Sequence, residues 1–215
     1  MLQNFIDYCK QPVYSAEQRR MTFVIFLKLY LFYMVFALLI SVPLGILINF
    51  TGISSKLDDV STKMIFLGIL VVPFFEETIF RLLLKPTRWN IRVFFISVSI
   101  YISLLVYRQN YLPVVVLGGI LVFVLMLIFL QKNGYFNFSH HFRYLFYLSA
   151  AVFAILHMFN FSQINNNWYF LILPVFVIPQ FFMGLVLGYT RMVYGFIYAV
   201  LLHMSINTFM LLKLL

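Results

Sequence analysis

The sequence predicts an all-α polytopic membrane helix bundle with about seven transmembrane helices. Two observations carry that reading. Of 215 residues, 64% are hydrophobic and only 10% are charged. A soluble domain is about 45–50% apolar and about 25% charged, and no water-soluble core of this size hides so much apolar side chain. The second observation is segmental. Seven spans of about 20 residues use roughly 140 positions, close to the apolar two-thirds of the chain. These features exclude a soluble enzyme, a secreted disulfide scaffold and a disordered chain. Cys9 stands alone, so no disulfide framework or cysteine-based zinc site is expected.

The chain reads as one membrane-embedded domain over 1–215, without an internal repeat. Residues 1–20 are mixed and polar and form a cytosolic or interfacial segment. Leu2, Phe5, Ile6 and Cys9 fall at helical spacing there, as on a helix lying on a membrane surface. No signal peptide is expected, because no short apolar core with a small-residue cleavage site follows. The apolar segments are Thr22–Asn49, Thr62–Leu84, Ile91–Tyr107, Leu112–Leu130, Tyr144–Phe161, Trp168–Thr190 and Met192–Leu212. The third is short, so it and the fourth could form a shallow hairpin. Breakers mark the loops at Thr51-Gly52, Lys85-Pro86, Asn133-Gly134 and Asn165-Asn166-Asn167. Pro174 and Pro179 predict kinks in the sixth segment. Gly184 and Gly188 form a small-xxx-small pair that permits close helix contact.

The net charge is +9. Cytosolic loops of membrane proteins collect Lys and Arg, so this excess indicates orientation and not a nucleic-acid partner. With the N-terminus inside, Lys10, Arg19, Arg20, Lys85, Arg88, Arg92, Lys132, Arg143 and Arg191 lie on the inner side. Lys56, Lys63, Arg108 and Lys213 lie on the outer side. The chain is thus expected in the bacterial plasma membrane with a cytosolic N-terminus. The lipid bilayer is then a partner, and the oligomeric state is left open.

An ionised side chain at mid-membrane costs at least about 2.5–3.5 kcal/mol, so each intramembrane acid needs a reason. Of the six acids, Asp7, Glu17, Asp58 and Asp59 lie in the tail or the first loop, while Glu76 and Glu77 lie inside the second apolar segment. Glu77 and Arg81 stand at i and i+4, the favoured order for an ion pair. Glu76 points about 100° away and has no basic residue three or four positions on. It is therefore the available carboxylate. His157 and His203 also fall inside spans, with Phe153 one turn before the first and Asn207 one turn after the second, whereas His140 and His141 lie in a loop. At 1.5 Å per residue, Glu76 lies about 14 Å, His157 about 21 Å and His203 about 18 Å from the inner ends of their spans. Similar depth predicts a shared polar site.

Glu-Glu-x-x-x-Arg, Phe-x-x-x-His and His-x-x-x-Asn, in this order and each within an apolar span, resemble the motifs of the CAAX prenyl protease and bacteriocin-processing intramembrane endopeptidase family. The resemblance covers about Leu67–Asn207 and includes the Gly184-x-x-x-Gly188 stretch. It implies a glutamate-dependent protease core over 62–212. Glu76 would be the base, with Glu77 and Arg81 its supporting pair. His157 would hold the water, and His203 with Asn207 would stabilise the oxyanion. Two departures stand out. The family usually has Gly after the motif arginine, where this chain has Leu82. Glu76 and His157 are 81 residues apart, far more than the family usually has, which implies an inserted hairpin at about 91–130.

The residues themselves support such chemistry. A carboxylate in an apolar setting has a raised pKa, which suits a general base. Such a base could take a proton from water that attacks a peptide carbonyl of a membrane-associated or lipidated substrate. No serine or cysteine nucleophile and no cofactor is needed. Two alternatives stay open. Glu76, His157 and His203 could bind zinc with one open position, although they lack H-E-x-x-H spacing. The chain could also be a non-catalytic membrane protein serving bacteriocin immunity or scaffolding. A transporter is disfavoured by the missing inverted repeat.

Overall fold

A computed structural model describes residues 1–15, 17–55, 62–107, 111–134, 137–162 and 169–212. Among the described residues the bundle is all-helical apart from one two-residue strand pair. Its helices are α1 (Leu2–Lys10), α2 (Phe23–Thr51), α3 (Thr62–Phe80), α4 (Arg88–Tyr107), α5 (Tyr111–Lys132), α6 (Phe142–His157), α7 (Tyr169–Phe176), α8 (Ile178–Val193) and α9 (Phe196–Leu212). Short 3-10 turns at Leu82–Leu84 and Met158–Asn160 follow α3 and α6. The strands β1 (Ser54–Ser55) and β2 (Phe161–Ser162) pair antiparallel, Ser54 opposite Ser162. They tie the loop after α2 to the loop after α6.

Among the described residues, four stretches are long and apolar enough to cross a membrane: Phe23–Thr51, Arg88–Tyr107, Val114–Lys132 and Phe142–Asn160. Phe196–Phe209 is a shorter apolar helix. The third apolar segment is longer than its sequence reading. It begins at Arg88 and runs 20 residues, because arginine is a good helix former and Thr87 accepts from the Asn90 amide at the helix start, at 3.1 Å. Lys56, Asp58, Asp59, Arg108, Trp168, Lys213 and the three loop asparagines lie outside the described residues.

Local chemistry sets the helix ends. Thr22 caps α2 by accepting the Ile25 amide at 3.3 Å. At its far end Gly52 takes a φ of 65° and returns its amide to the Ile48 carbonyl, the left-handed cap that glycine adopts without strain. The sixth apolar segment does not merely kink. It breaks at Val177 into α7 and α8. Pro179 sits in the first turn of α8, where its missing N–H costs nothing.

Helix α6 packs most extensively on α8, and α3 on α9. The α6–α8 contact depends on the two predicted glycines. A Cβ on Gly184 would sit 3.0 Å from the Ala150 backbone, and one on Gly188 would sit 2.8 Å from the Phe146 ring. Gly184→Val should therefore push α6 from α8 and cost about 1–3 kcal/mol. A melting curve of the purified variant in detergent checks this, and an unchanged midpoint refutes the contact.

The N-terminal segment folds onto the bundle end. Phe5 is buried and meets the rings of Phe32, Phe182 and Tyr189 edge-on. The Tyr147 hydroxyl donates to the Cys9 carbonyl. Burial pushes the Cys9 thiol up to about 12. This raised value favours the neutral thiol in the fold. Its stabilisation is present below the ordinary thiol range of about 8.5 and is lost as pH rises towards the folded value. Alkylation by iodoacetamide at pH 8 should therefore be slow in the folded chain and fast after unfolding. Equal rates would overturn the burial of Cys9.

Candidate functional site

The site lies where α3, α6 and α9 meet. Helix α3 brings Glu76, Glu77 and Arg81 at or just past its C-terminal end, α6 brings His157 at its last residue, and α9 brings His203. Carboxylates near a helix C-terminus oppose the helix dipole, so their placement needs compensation from neighbouring elements. It comes partly through the backbone. The Phe80 carbonyl accepts the Ser149 hydroxyl at 2.7 Å, and the Arg81 carbonyl accepts Arg191 Nε at 3.3 Å. Carbonyls at the helix end are thus bonded by side chains from α6 and α8, the Arg81 carbonyl in addition to the Leu84 amide.

The Glu76 carboxylate spans two imidazoles. Its Oε1 is 3.9 Å from His157 Nε2, and its Oε2 is 3.5 Å from His203 Nε2. Both separations are ion-pair distances and too long for direct hydrogen bonds. They are short enough for one water and one carbonyl to bridge the three groups. The partners that Glu76 lacks on its own helix thus come from two others, as the matched depths predict.

Each imidazole is fixed from behind. His157 Nδ1 lies 2.8 Å from the Phe153 carbonyl. A carbonyl only accepts, so Nδ1 carries a proton and Nε2 is the ring nitrogen turned towards Glu76. His203 Nδ1 lies 3.0 Å from Glu77 Oε1. An ionised carboxylate also only accepts, so this Nδ1 donates too. His203 Nε2 is buried without a hydrogen-bond partner, and it donates only when the ring is doubly protonated.

Glu77 keeps its expected pairing with Arg81 and gains a second partner, while Asn207 bonds elsewhere than the sequence places it. The sequence pairs Glu77 with Arg81. The Arg81 Nε to Glu77 Oε2 distance is 3.7 Å, while the shorter bond of Glu77 goes to His203. The α9 packing puts an imidazole closer than the arginine one turn away. Besides this ion pair, Arg81 is held by Ser149 Oγ at 3.3 Å and by the Phe153 ring, 4.7 Å from the guanidinium carbon. The sequence places Asn207 beside His203 as an oxyanion donor. Its amide donates to the Gly68 carbonyl on α3 at 3.1 Å. Gly68 precedes the carbonyl that Pro73 deprives of its helical donor. Asn207 thus joins α9 to α3 through its side-chain amide.

Burial divides the cluster. Glu77, Arg81 and His203 are fully enclosed, whereas the Glu76 and His157 side chains keep 15% and 18% exposure. The accessible face of the site is therefore a carboxylate beside an imidazole Nε2. The same face is the place to test for a metal. Both histidines donate from Nδ1 to an acceptor, the usual orientation of metal-bound imidazoles. Among the described residues, however, no three His, Cys, Asp or Glu side chains are arranged to hold a metal ion.

Sequence reasoning missed two supporting residues. Ser149 stands two four-residue steps before His157, a polar residue inside an apolar span. Arg191 reads as part of an inner loop, but it is buried at the end of α8 and stacks on Phe196. Lys85, expected in a different inner loop, is also buried, and its carbonyl accepts from the Asn90 side-chain amide at 2.6 Å. Burial and the Arg191 charge push its pKa down. No protein-family model, curated protein or solved structure matches the chain.

Proposed function

We propose that the chain is an intramembrane endopeptidase. It hydrolyses peptide bonds of a membrane-associated or lipidated peptide with water activated by Glu76. The observation that carries this reading is the Glu76 carboxylate, 3.5 Å and 3.9 Å from two imidazole Nε2 atoms on two other helices. The motif resemblance to the CAAX prenyl protease and bacteriocin-processing family supports it as well.

In this reading a water lies between Glu76 and His157. Glu76 removes its proton as the oxygen attacks the peptide carbonyl. The His157 lone pair accepts the water's other hydrogen and aligns its attack. Doubly protonated His203 donates from Nε2 to the oxyanion, and Glu77 stabilises that cation from Nδ1. Collapse of the intermediate breaks the C–N bond, and the proton on Glu76 passes to the leaving amine. Asn207 and Arg81 act as positioning residues, the first on α9 and the second on Glu77. No cofactor takes part in this scheme, and the zinc-dependent alternative differs from it in chelator sensitivity.

The reading extends to placement. All seven apolar segments enter the bilayer of a bacterial plasma membrane, α7 and α8 together forming one broken span, with the N-terminus in the cytosol. The α4–α5 hairpin is an insertion between the segments that carry Glu76 and His157.

The competing reading is a non-catalytic scaffold or immunity protein. Its support is that Asn207 and Gly184 act purely in helix packing. The deciding experiment reconstitutes the purified chain in liposomes with a library of membrane-anchored peptides and reads cleavage by mass spectrometry. Cleavage should occur, persist with chelator, and vanish in His157→Ala. A scaffold would give no cleavage, and chelator-sensitive cleavage would replace the water mechanism with a metal-assisted one.

A further inference from the structure

A second, apolar cavity lies behind the polar cluster. It encloses about 120 Å³ and opens on one side between the end of α3, helix α5 and helix α6. Phe80 and Leu83 form its floor, Val124 and Leu127 one wall, and Leu148 and Val152 the other. On α5 the lining runs from Ile120 to Gln131. At 1.5 Å per residue that is about 16 Å, close to half of a ~30 Å hydrocarbon core. The groove thus matches one acyl chain of one leaflet.

Apolar fit alone does not select an occupant in a bilayer, because lipid tails are as apolar as the groove. The mouth supplies the discrimination. Arg88, Arg92, Lys132 and Arg143 are exposed, and each stands within two residues of a lining residue, next to Pro86, Ile91, Gln131 and Leu145. None of the chain's six acids lies in the lining segments. Trp89 and Tyr144 are 70% and 73% exposed beside two of these cations, as interfacial anchors are. Four exposed cations thus stand within two residues of the segments that line an acyl-length slot.

We propose that this groove is a binding site for an anionic phospholipid, with one acyl chain in the slot and the phosphate held by the four cations. The site does not depend on the hydrolytic reading. It touches the polar cluster through Ser149, which lines the groove and also bonds Arg81.

The test uses the full chain in nanodiscs of mixed phosphatidylglycerol and phosphatidylcholine. Transfer to detergent follows, with native mass spectrometry of the lipid retained. One phosphatidylglycerol per chain should survive, at least tenfold over phosphatidylcholine. Lys132→Glu with Arg143→Glu should erase that preference. Leu127→Trp, which fills the slot, should abolish retention while the cations remain, and Leu148→Trp repeats the block from the opposite wall. Melting curves identify the variants that fold. Equal retention of the two lipids would overturn the proposal, as would retention unchanged in a folded, slot-filled variant. Preferential retention of added oleate over phosphatidylglycerol would overturn it too, assigning the slot to a free fatty acid.

Discussion

Glu76→Gln is expected to lower peptide cleavage by at least about 100-fold, the smaller end of what a positioned general base contributes, with little change in expression or melting midpoint. The amide keeps the shape of the carboxylate but cannot take a proton from water. The structural cost is small because Glu76 makes no short hydrogen bond in the cluster. Its contacts to His157 and His203 are 3.9 Å and 3.5 Å. The side chain is also not sealed in, so the substitution strands no enclosed charge. His157→Ala should lose activity in the same assay, again with the fold intact, since its Nδ1 bond closes only onto its own helix. Activity within tenfold of wild type in Glu76→Gln would remove Glu76 as the base. An active-site role would then have to pass to Glu77, which is enclosed and already bonded to His203.

That distinction between two adjacent glutamates was partly legible in the sequence. Helical angle alone separates Glu76 from the Arg81 face, and depth along three spans predicts which histidines meet it. Both inferences rest on helix geometry, which is regular, and both match the observed contacts. The Arg81 partner of Glu77 was legible, but its second partner and the partner of Asn207 were not. An i,i+4 spacing says that Glu77 and Arg81 share a face, but it cannot say that α9 brings His203 Nδ1 closer. Likewise Asn207 follows His203 by one turn, yet its amide serves a backbone carbonyl on α3 beside the Pro73 irregularity. Such choices are made between helices, where the sequence has no register. The same limit explains the sixth segment. Pro174 and Pro179 announce a disturbance, but only the packing of α8 on α6 through Gly184 and Gly188 requires a complete restart at Val177. Arg191 shows the limit from the other side. Positive charge at a span end reads as a loop, and here it is turned inward to bond the Arg81 carbonyl.

Arg81→Met should be the most destabilising single change in the cluster. The guanidinium is fully enclosed, 3.7 Å from the Glu77 carboxylate, and packed on Phe153. Methionine fills much of the space but leaves Glu77 without its enclosed cation. Removing one member of a buried ion pair costs about 3–5 kcal/mol, largely through the charge left behind. The partial compensation available is His203, which bonds the other Glu77 oxygen. The prediction is therefore sharper for the pair than for the single variant. Glu77→Gln in the Arg81→Met background removes the stranded charge and keeps an oxygen to accept from His203 Nδ1. The double variant should recover most of the lost melting temperature, a coupling that separate sites would not give. Cleavage should stay low in the double variant, because the neutral amide that replaces the Glu77 carboxylate no longer stabilises the doubly protonated His203 that the oxyanion requires. A double variant no more stable than Arg81→Met would show that Arg81 acts through Ser149 and the α3 end, and not through the charge of Glu77.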